Sequence, residues 1–103
     1  MLYESKVKAI LQQILAQNVA VKVILFGSAA KESKQVNDLD FLIVIPNALN
    51  PREVSRALQI AVRRKGMPVD FVVVTIDEFA AGSKDSSSVI FNASREGIEL
   101  YVA

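Results

Sequence analysis

Asp38 and Asp40, a third aspartate at Asp70, and the pair Gly27-Ser28 are the residues of this chain best suited to do chemistry together. Each stands at the edge of an apolar run that reads as a β-strand. Val21-Lys22-Val23-Ile24-Leu25-Phe26 leads into Gly27-Ser28, Asp38-Leu39-Asp40 opens Phe41-Leu42-Ile43-Val44-Ile45, and Asp70 opens Phe71-Val72-Val73-Val74. Strands of Val, Ile and Phe form rigid, half-buried frames, so a carboxylate at their lip has a fixed position. Asp38 and Asp40, two apart, project to one face, with Leu39 and Phe41 on the other. Two such carboxylates repel unless a divalent ion sits between them, and Asp70 can supply a third. Metals held this way neutralise a triphosphate and stabilise a leaving pyrophosphate. The third carboxylate can bind a second metal or help take the proton from an attacking hydroxyl. Gly27 lets backbone approach a phosphate, and Ser28 adds a hydroxyl at an expected helix N-terminus. Alone, each element is common. Placed together on three successive strand edges, they point to a site for Mg²⁺ and a nucleoside triphosphate.

Composition narrows the chemistry further. The 103 residues suit one domain, spanning 1–103, with a single core. Hydrophobic residues make up 51% of the chain, enough for that core with apolar surface left for a partner. Twelve basic residues against eleven acidic ones leave a net charge of +1, so there is no strong nucleic-acid or membrane signal. The chain has no cysteine and no histidine, which excludes disulfides, Cys/His zinc sites and Ser-His-Asp triads. Oxygen ligands alone suit hard cations such as Mg²⁺ or Mn²⁺. With no leader pattern and no apolar run approaching the roughly 20 residues of a membrane span, a cytoplasmic location is expected.

The elements that must position these residues alternate. Residues 3–18 read as an amphipathic helix, with Val7, Ile10, Leu11, Ile14 and Leu15 at helical spacing. After the first strand, 28–33 reads as a short helix with Ser28 at or near its N-cap. Pro51 suits the first position of a helix that carries Val54, Ala57, Leu58 and Ala61 inward and stops at Arg63-Arg64-Lys65-Gly66. A third strand follows over 69–75, then a helical turn over 76–81 and a serine-rich loop. The loop serines can cap a helix over 89–96, Gly97 ends it, and a short strand closes the chain at 98–102. Facing Gly27 toward Asp38 and Asp40 requires the first two strands to be antiparallel. The helical crossover makes the second and third parallel, bringing Asp70 beside Asp40. The expected fold is therefore α+β, a mixed sheet with helices packed on it in the order α-β-α-β-α-β-α-β.

Leu25-Phe26-Gly27-Ser28, nine residues, Asp38-Leu39-Asp40-Phe41, and then Val69-Asp70-Phe71-Val72 together resemble the minimal nucleotidyltransferases of the DNA polymerase β superfamily. Arg95-Glu96-Gly97-Ile98-Glu99-Leu100-Tyr101 looks like the closing segment common in these small proteins. The resemblance implies a nucleotidyltransferase fold and transfer of AMP from ATP, with one or two Mg²⁺ ions. Carried over by position, Gly27 and Ser28 hold the phosphates, Asp38 and Asp40 the metals, and Asp70 completes the metal site and assists the attacking group. It also implies a partner, a small helical HEPN-type protein, and an antitoxin that adds AMP to a tyrosine of that toxin. Self-association is left open. The family commonly continues Gly-Ser-Arg-Ala-x-Gly, whereas this chain reads Gly27-Ser28-Ala29-Ala30-Lys31-Glu32. Losing that cation weakens the phosphate grip by about 1–3 kcal/mol, and Lys31 or Lys34 are the replacements at hand. The competing reading is a binding module that neutralises its partner by contact after losing catalysis.

Overall fold

A computed structural model describes residues 3–31, 38–62 and 68–103. It contains α1 (Glu4–Leu15), β1 (Lys22–Phe26), a 3₁₀ turn (Gly27–Ala29), β2 (Leu39–Ile45), α2 (Pro51–Ala61), β3 (Val69–Thr75), α3 (Ile76–Gly82), α4 (Val89–Glu96) and β4 (Ile98–Val102). The strands form one four-stranded sheet in the order β3-β2-β1-β4. β1 is antiparallel to both β2 and β4, and β2 is parallel to β3. The expected mixed α+β architecture is thus the observed one.

Strand alternation divides the core in two. Val23, Leu25, Leu39, Phe41, Ile43, Ile45, Val69 and Phe71 pack with Val7, Ile10 and Ile14 of α1 and Leu58 of α2. The opposite face sets Ile24, Leu42, Val44 and Val74 against Ile90 and Ala93 of α4, with Phe26, Val72 and Phe79 packed at the margin. Asp40 and Asp70 alternate onto this second face. Every residue of β2 except Asp40 is buried. Its neighbours Leu39 and Phe41 are wholly inaccessible, each worth about 1.5–3 kcal/mol of burial. A one-residue slip would turn Asp40 into the core against α1 and α2, so its carboxylate is locked to the α4 face.

Several helix ends follow local chemistry. The Asn50 side chain accepts from the backbone N–H groups of Arg52 and Glu53, with Pro51 opening α2. Thr75 and Glu78 form a reciprocal capping box that starts α3 directly from β3. Ser88 accepts from the Ile90 N–H at the start of α4, as a capping serine was expected to do.

The structure corrects two details. Of the helix expected over 28–33, the described residues show a single 3₁₀ turn in which Phe26 is the N-cap and Ser28 an interior residue. Glu32, Ser33 and Lys34 lie outside the described residues, as does Arg63-Arg64-Lys65-Gly66. Ala57 and Ala61 of α2 face solvent, while Leu58 and Val62 are buried, so the inward face is narrower than the apolar pattern suggested. No helix among the described residues is long and apolar enough to cross a membrane.

Candidate active site

Register brings the three aspartates together. Asp40 pairs with Asp70 across the parallel β2–β3 ladder, and Phe26, the residue before Gly27, pairs with Asp40 across the antiparallel β1–β2 ladder. Asp38 stands one residue before β2. One carboxylate oxygen from each of Asp38, Asp40 and Asp70 lies within 4.8 Å of the other two. Asp38, Asp40 and Asp70 would together hold one or two divalent cations, which would supply charge neutralisation at a bound polyphosphate. An all-carboxylate donor set of this kind is able to hold a hard divalent cation such as Mg²⁺.

Burial and mutual repulsion set the electrostatics of the trio. Burial first, then the charges of Asp38 and Asp70 and a hydrogen bond with Asp70, push the Asp40 carboxyl from 3.8 up to about 6. Asp38 is also raised, by burial and then by its hydrogen bond and charge repulsion with Asp70, partly offset by a backbone hydrogen bond. Among the described residues, the ion pairs are Lys8–Glu4, Lys22–Glu99 and Lys31–Glu96, none of which touches the trio.

This has a measurable consequence. The unfolded Asp40 carboxyl titrates near 3.8 and the folded one near 6, so between those values the folded chain keeps a proton that the unfolded chain has released. The stability linked to this group is full below about pH 4 and is lost as pH rises through about 6. Thermal melts of the metal-free protein are expected to show that loss. Saturating Mg²⁺ should raise the melting temperature progressively more as pH increases from 5 to 7.5, because only ionised carboxylates bind it. A Mg²⁺ effect that is flat across that interval would argue against the trio as the binding site.

Gly27 completes the rim. Its φ of +74° is a left-handed conformation that L side chains rarely adopt, and a Cβ there would collide with Oδ2 of Asp40. The glycine turn and the carboxylates are therefore in direct apposition, as the motif required. Ser28 sits next to Gly27 in the same 3₁₀ turn, and Ala29 is buried in the core. The side chain at position 29 points inward, so the exposed cation nearest this turn along the chain is Lys31 rather than a residue at 29.

One part of the site escaped the sequence. Phe26, Gly27 and Lys31 form one wall of a cleft of about 410 Å³, and Asn92, Glu96 and Gly97 are among the residues of the other. Lys31 Nζ is 3.2 Å from Glu96 Oε2. Nothing in the spacing of Lys31 and Glu96 signals this contact. It depends on α4 lying against β1.

A catalytic-type carboxylate trio beside a glycine turn, on a mixed sheet, defines a nucleotidyltransferase-like architecture. The comparisons agree: residues 4–99 match the model of the nucleotidyltransferase domain, and the chain belongs to that family. A crystal structure of a candidate nucleotidyltransferase from Sulfolobus solfataricus is similar over 93% of this chain and 77% of its own, with a TM-score of 0.64 at 17% identity. A second candidate nucleotidyltransferase structure gives 0.53 at 17% identity, covering 96% of this chain and 98% of its own. At that identity the likeness is one of fold. No curated protein matches the chain significantly.

Proposed function

We propose that this protein is a Mg²⁺-dependent adenylyltransferase that transfers AMP from ATP to a tyrosine hydroxyl of a small helical HEPN-type toxin, acting as its antitoxin. The observation that carries the transfer reading is the apposition of Gly27 with Asp40, and of Asp40 with Asp70, on one rim of the sheet. Asp38, Asp40 and Asp70 would hold the cation, which supplies charge neutralisation at the triphosphate. Gly27 and Ser28 would seat the phosphates. The acceptor oxygen bonds to the α-phosphorus as the bond to the β-phosphate oxygen breaks, and pyrophosphate leaves with the electron pair. Asp70, the most exposed of the trio, is best placed to meet an incoming hydroxyl and take its proton.

A tyrosine on a partner surface suits this rim better than a small buried acceptor, because the trio opens at the sheet edge. The purified pair incubated with radiolabelled ATP tests the proposal. Label should reach the partner only when Mg²⁺ is present, and an unlabelled partner in a demonstrated complex would reject it.

Ala29 motivates one other reading, neutralisation by contact alone. Its buried methyl group supplies no cation where the family commonly has arginine. The Asp38→Ala/Asp40→Ala double variant separates the two. Transfer predicts that protection of cells from the partner disappears while the complex persists, whereas full protection would establish the contact reading.

A further inference from the structure

Asp40 is boxed in on its own face of the sheet. Strand pairing sets Phe26 of β1 directly opposite it on one side and Asp70 of β3 on the other, so the three stand in one row on the α4 face. Residues directly opposite in an antiparallel pair hold their Cβ atoms about 4.5–5.5 Å apart. Leu42, two residues further along β2, fills the same face behind Asp40 and is wholly buried. Gly27 closes the box beside Phe26, and Oδ2 of Asp40 reaches the space that a Cβ on this glycine would need.

The charges around the box are unbalanced. Asp38 and Asp70 both repel Asp40, and Asp70 does so from the side opposite Phe26. The carboxylate would relieve that repulsion by swinging toward β1, away from the other two. Phe26 stands in the path of this swing. Its side chain is half-buried and packs against the second core, so it cannot yield without disturbing close packing. An apolar ring also offers the carboxylate no hydrogen bond in its new position.

We propose that Phe26 is a positioning residue of the cation site: its ring blocks the recoil of Asp40 and holds the carboxylate in apposition with Asp38 and Asp70. This rests on the reading of the trio as a cation site given above, and its consequence is selectivity. Mg²⁺ demands near-ideal octahedral geometry at about 2.0–2.1 Å, whereas Ca²⁺ accepts about six to eight oxygens in flexible arrangements. Without its brace the site loses Mg²⁺ and keeps Ca²⁺.

Calorimetric titration of the full chain with Mg²⁺ alone and with Ca²⁺ alone at neutral pH tests this, using wild type, Phe26→Ala, Phe26→Leu and Phe79→Ala. Phe79 packs against the same core but contacts Lys22, at the opposite end of β1 from the trio. Its truncation therefore reproduces the packing loss alone. Phe26→Ala is expected to weaken Mg²⁺ about tenfold or more and Ca²⁺ by a factor of about two or less. Phe26→Leu, which keeps apolar bulk in the path, should restore most of the Mg²⁺ affinity. Phe79→Ala should leave the ratio of the two affinities at its wild-type value. If Phe26→Ala does not fold, Phe26→Val must still lower the Mg²⁺-to-Ca²⁺ ratio below that of Phe26→Leu. An unchanged ratio in the Phe26 variants, with wild type binding Mg²⁺, would overturn this inference alone. An equal fall in ratio for Phe79→Ala would reduce the ring to ordinary packing and overturn it too. Should wild type bind neither ion, the cation reading of the trio falls with it.

Discussion

Asp40→Asn is expected to reduce nucleotidyl transfer by about a thousandfold or more while yielding a folded protein that is more heat-stable than wild type when both are metal-free at neutral pH. Asp40 is the member of the trio that touches every other part of the site. It pairs in register with Asp70, lies against Gly27, and feels the charges of Asp38 and Asp70. Removing a metal-binding charge forfeits several kcal/mol of transition-state stabilisation, and each 1.36 kcal/mol is about tenfold in rate. The stability gain has the opposite origin. Wild type carries an ionised, partly buried carboxylate facing two others, and asparagine removes that repulsion without changing shape. The gain should grow as pH rises through about 6 and vanish only well below the unfolded value of 3.8, where Asp40 is protonated in both folded and unfolded chains. Melting curves with and without Mg²⁺ check both halves, because Mg²⁺ should stabilise wild type far more than the variant. A variant less stable than wild type at pH 7.5 without metal would contradict the electrostatic account.

Gly27→Ala is the second large effect, and it acts through geometry. A left-handed backbone costs a non-glycine residue about 1–2 kcal/mol, and the new methyl group would occupy the space of Asp40 Oδ2. Asp40 cannot retreat along the strand, because Leu39 and Phe41 are fixed in the opposite core. Its carboxylate must rotate, which takes it out of the trio. A displacement of about 1 Å at a reacting centre costs about a hundredfold, so transfer should fall by about that factor with Mg²⁺ affinity reduced in parallel. Adding Asp40→Ala to Gly27→Ala tests the cause. The added truncation should recover stability lost to the collision and leave activity no lower than Asp40→Ala alone. If Gly27→Ala retains wild-type Mg²⁺ affinity, the collision does not control the metal site.

These effects were largely visible in the chain itself, and physical reasons explain which parts were not. Pro46 follows β2, Gly66 and Pro68 precede β3, and the helix between them admits one direction of crossover. Strand order near the site and the Asp40–Asp70 pairing therefore followed from topology. Asp40 stands alone as the accessible residue in a buried strand, which makes it conspicuous. The turn after Gly27 was harder. Ser28 read as standing at or near an N-cap because serine is favoured there, and the chain makes a single 3₁₀ turn with Phe26 as the N-cap and Ser28 inside it. α2 misled for another reason. Ala57 and Ala61 fit an apolar stripe, but alanine is small enough to face water at little cost, and the inward contact is carried by Leu58 and Val62. The Lys31–Glu96 contact had no local signal at all, being made by two elements distant in sequence that only the packing of α4 on β1 brings together.

The central claim is that Asp38, Asp40 and Asp70 bind a divalent cation in front of the Gly27 turn. The most direct test is a crystal structure grown with Mn²⁺ and a non-hydrolysable ATP analogue, read by the anomalous signal of the metal. The account predicts a peak about 2.0–2.3 Å from oxygens of Asp38 and Asp40, with Asp70 within reach of it or of a second peak. A peak elsewhere, or ordered nucleotide with no metal at these carboxylates, would contradict it.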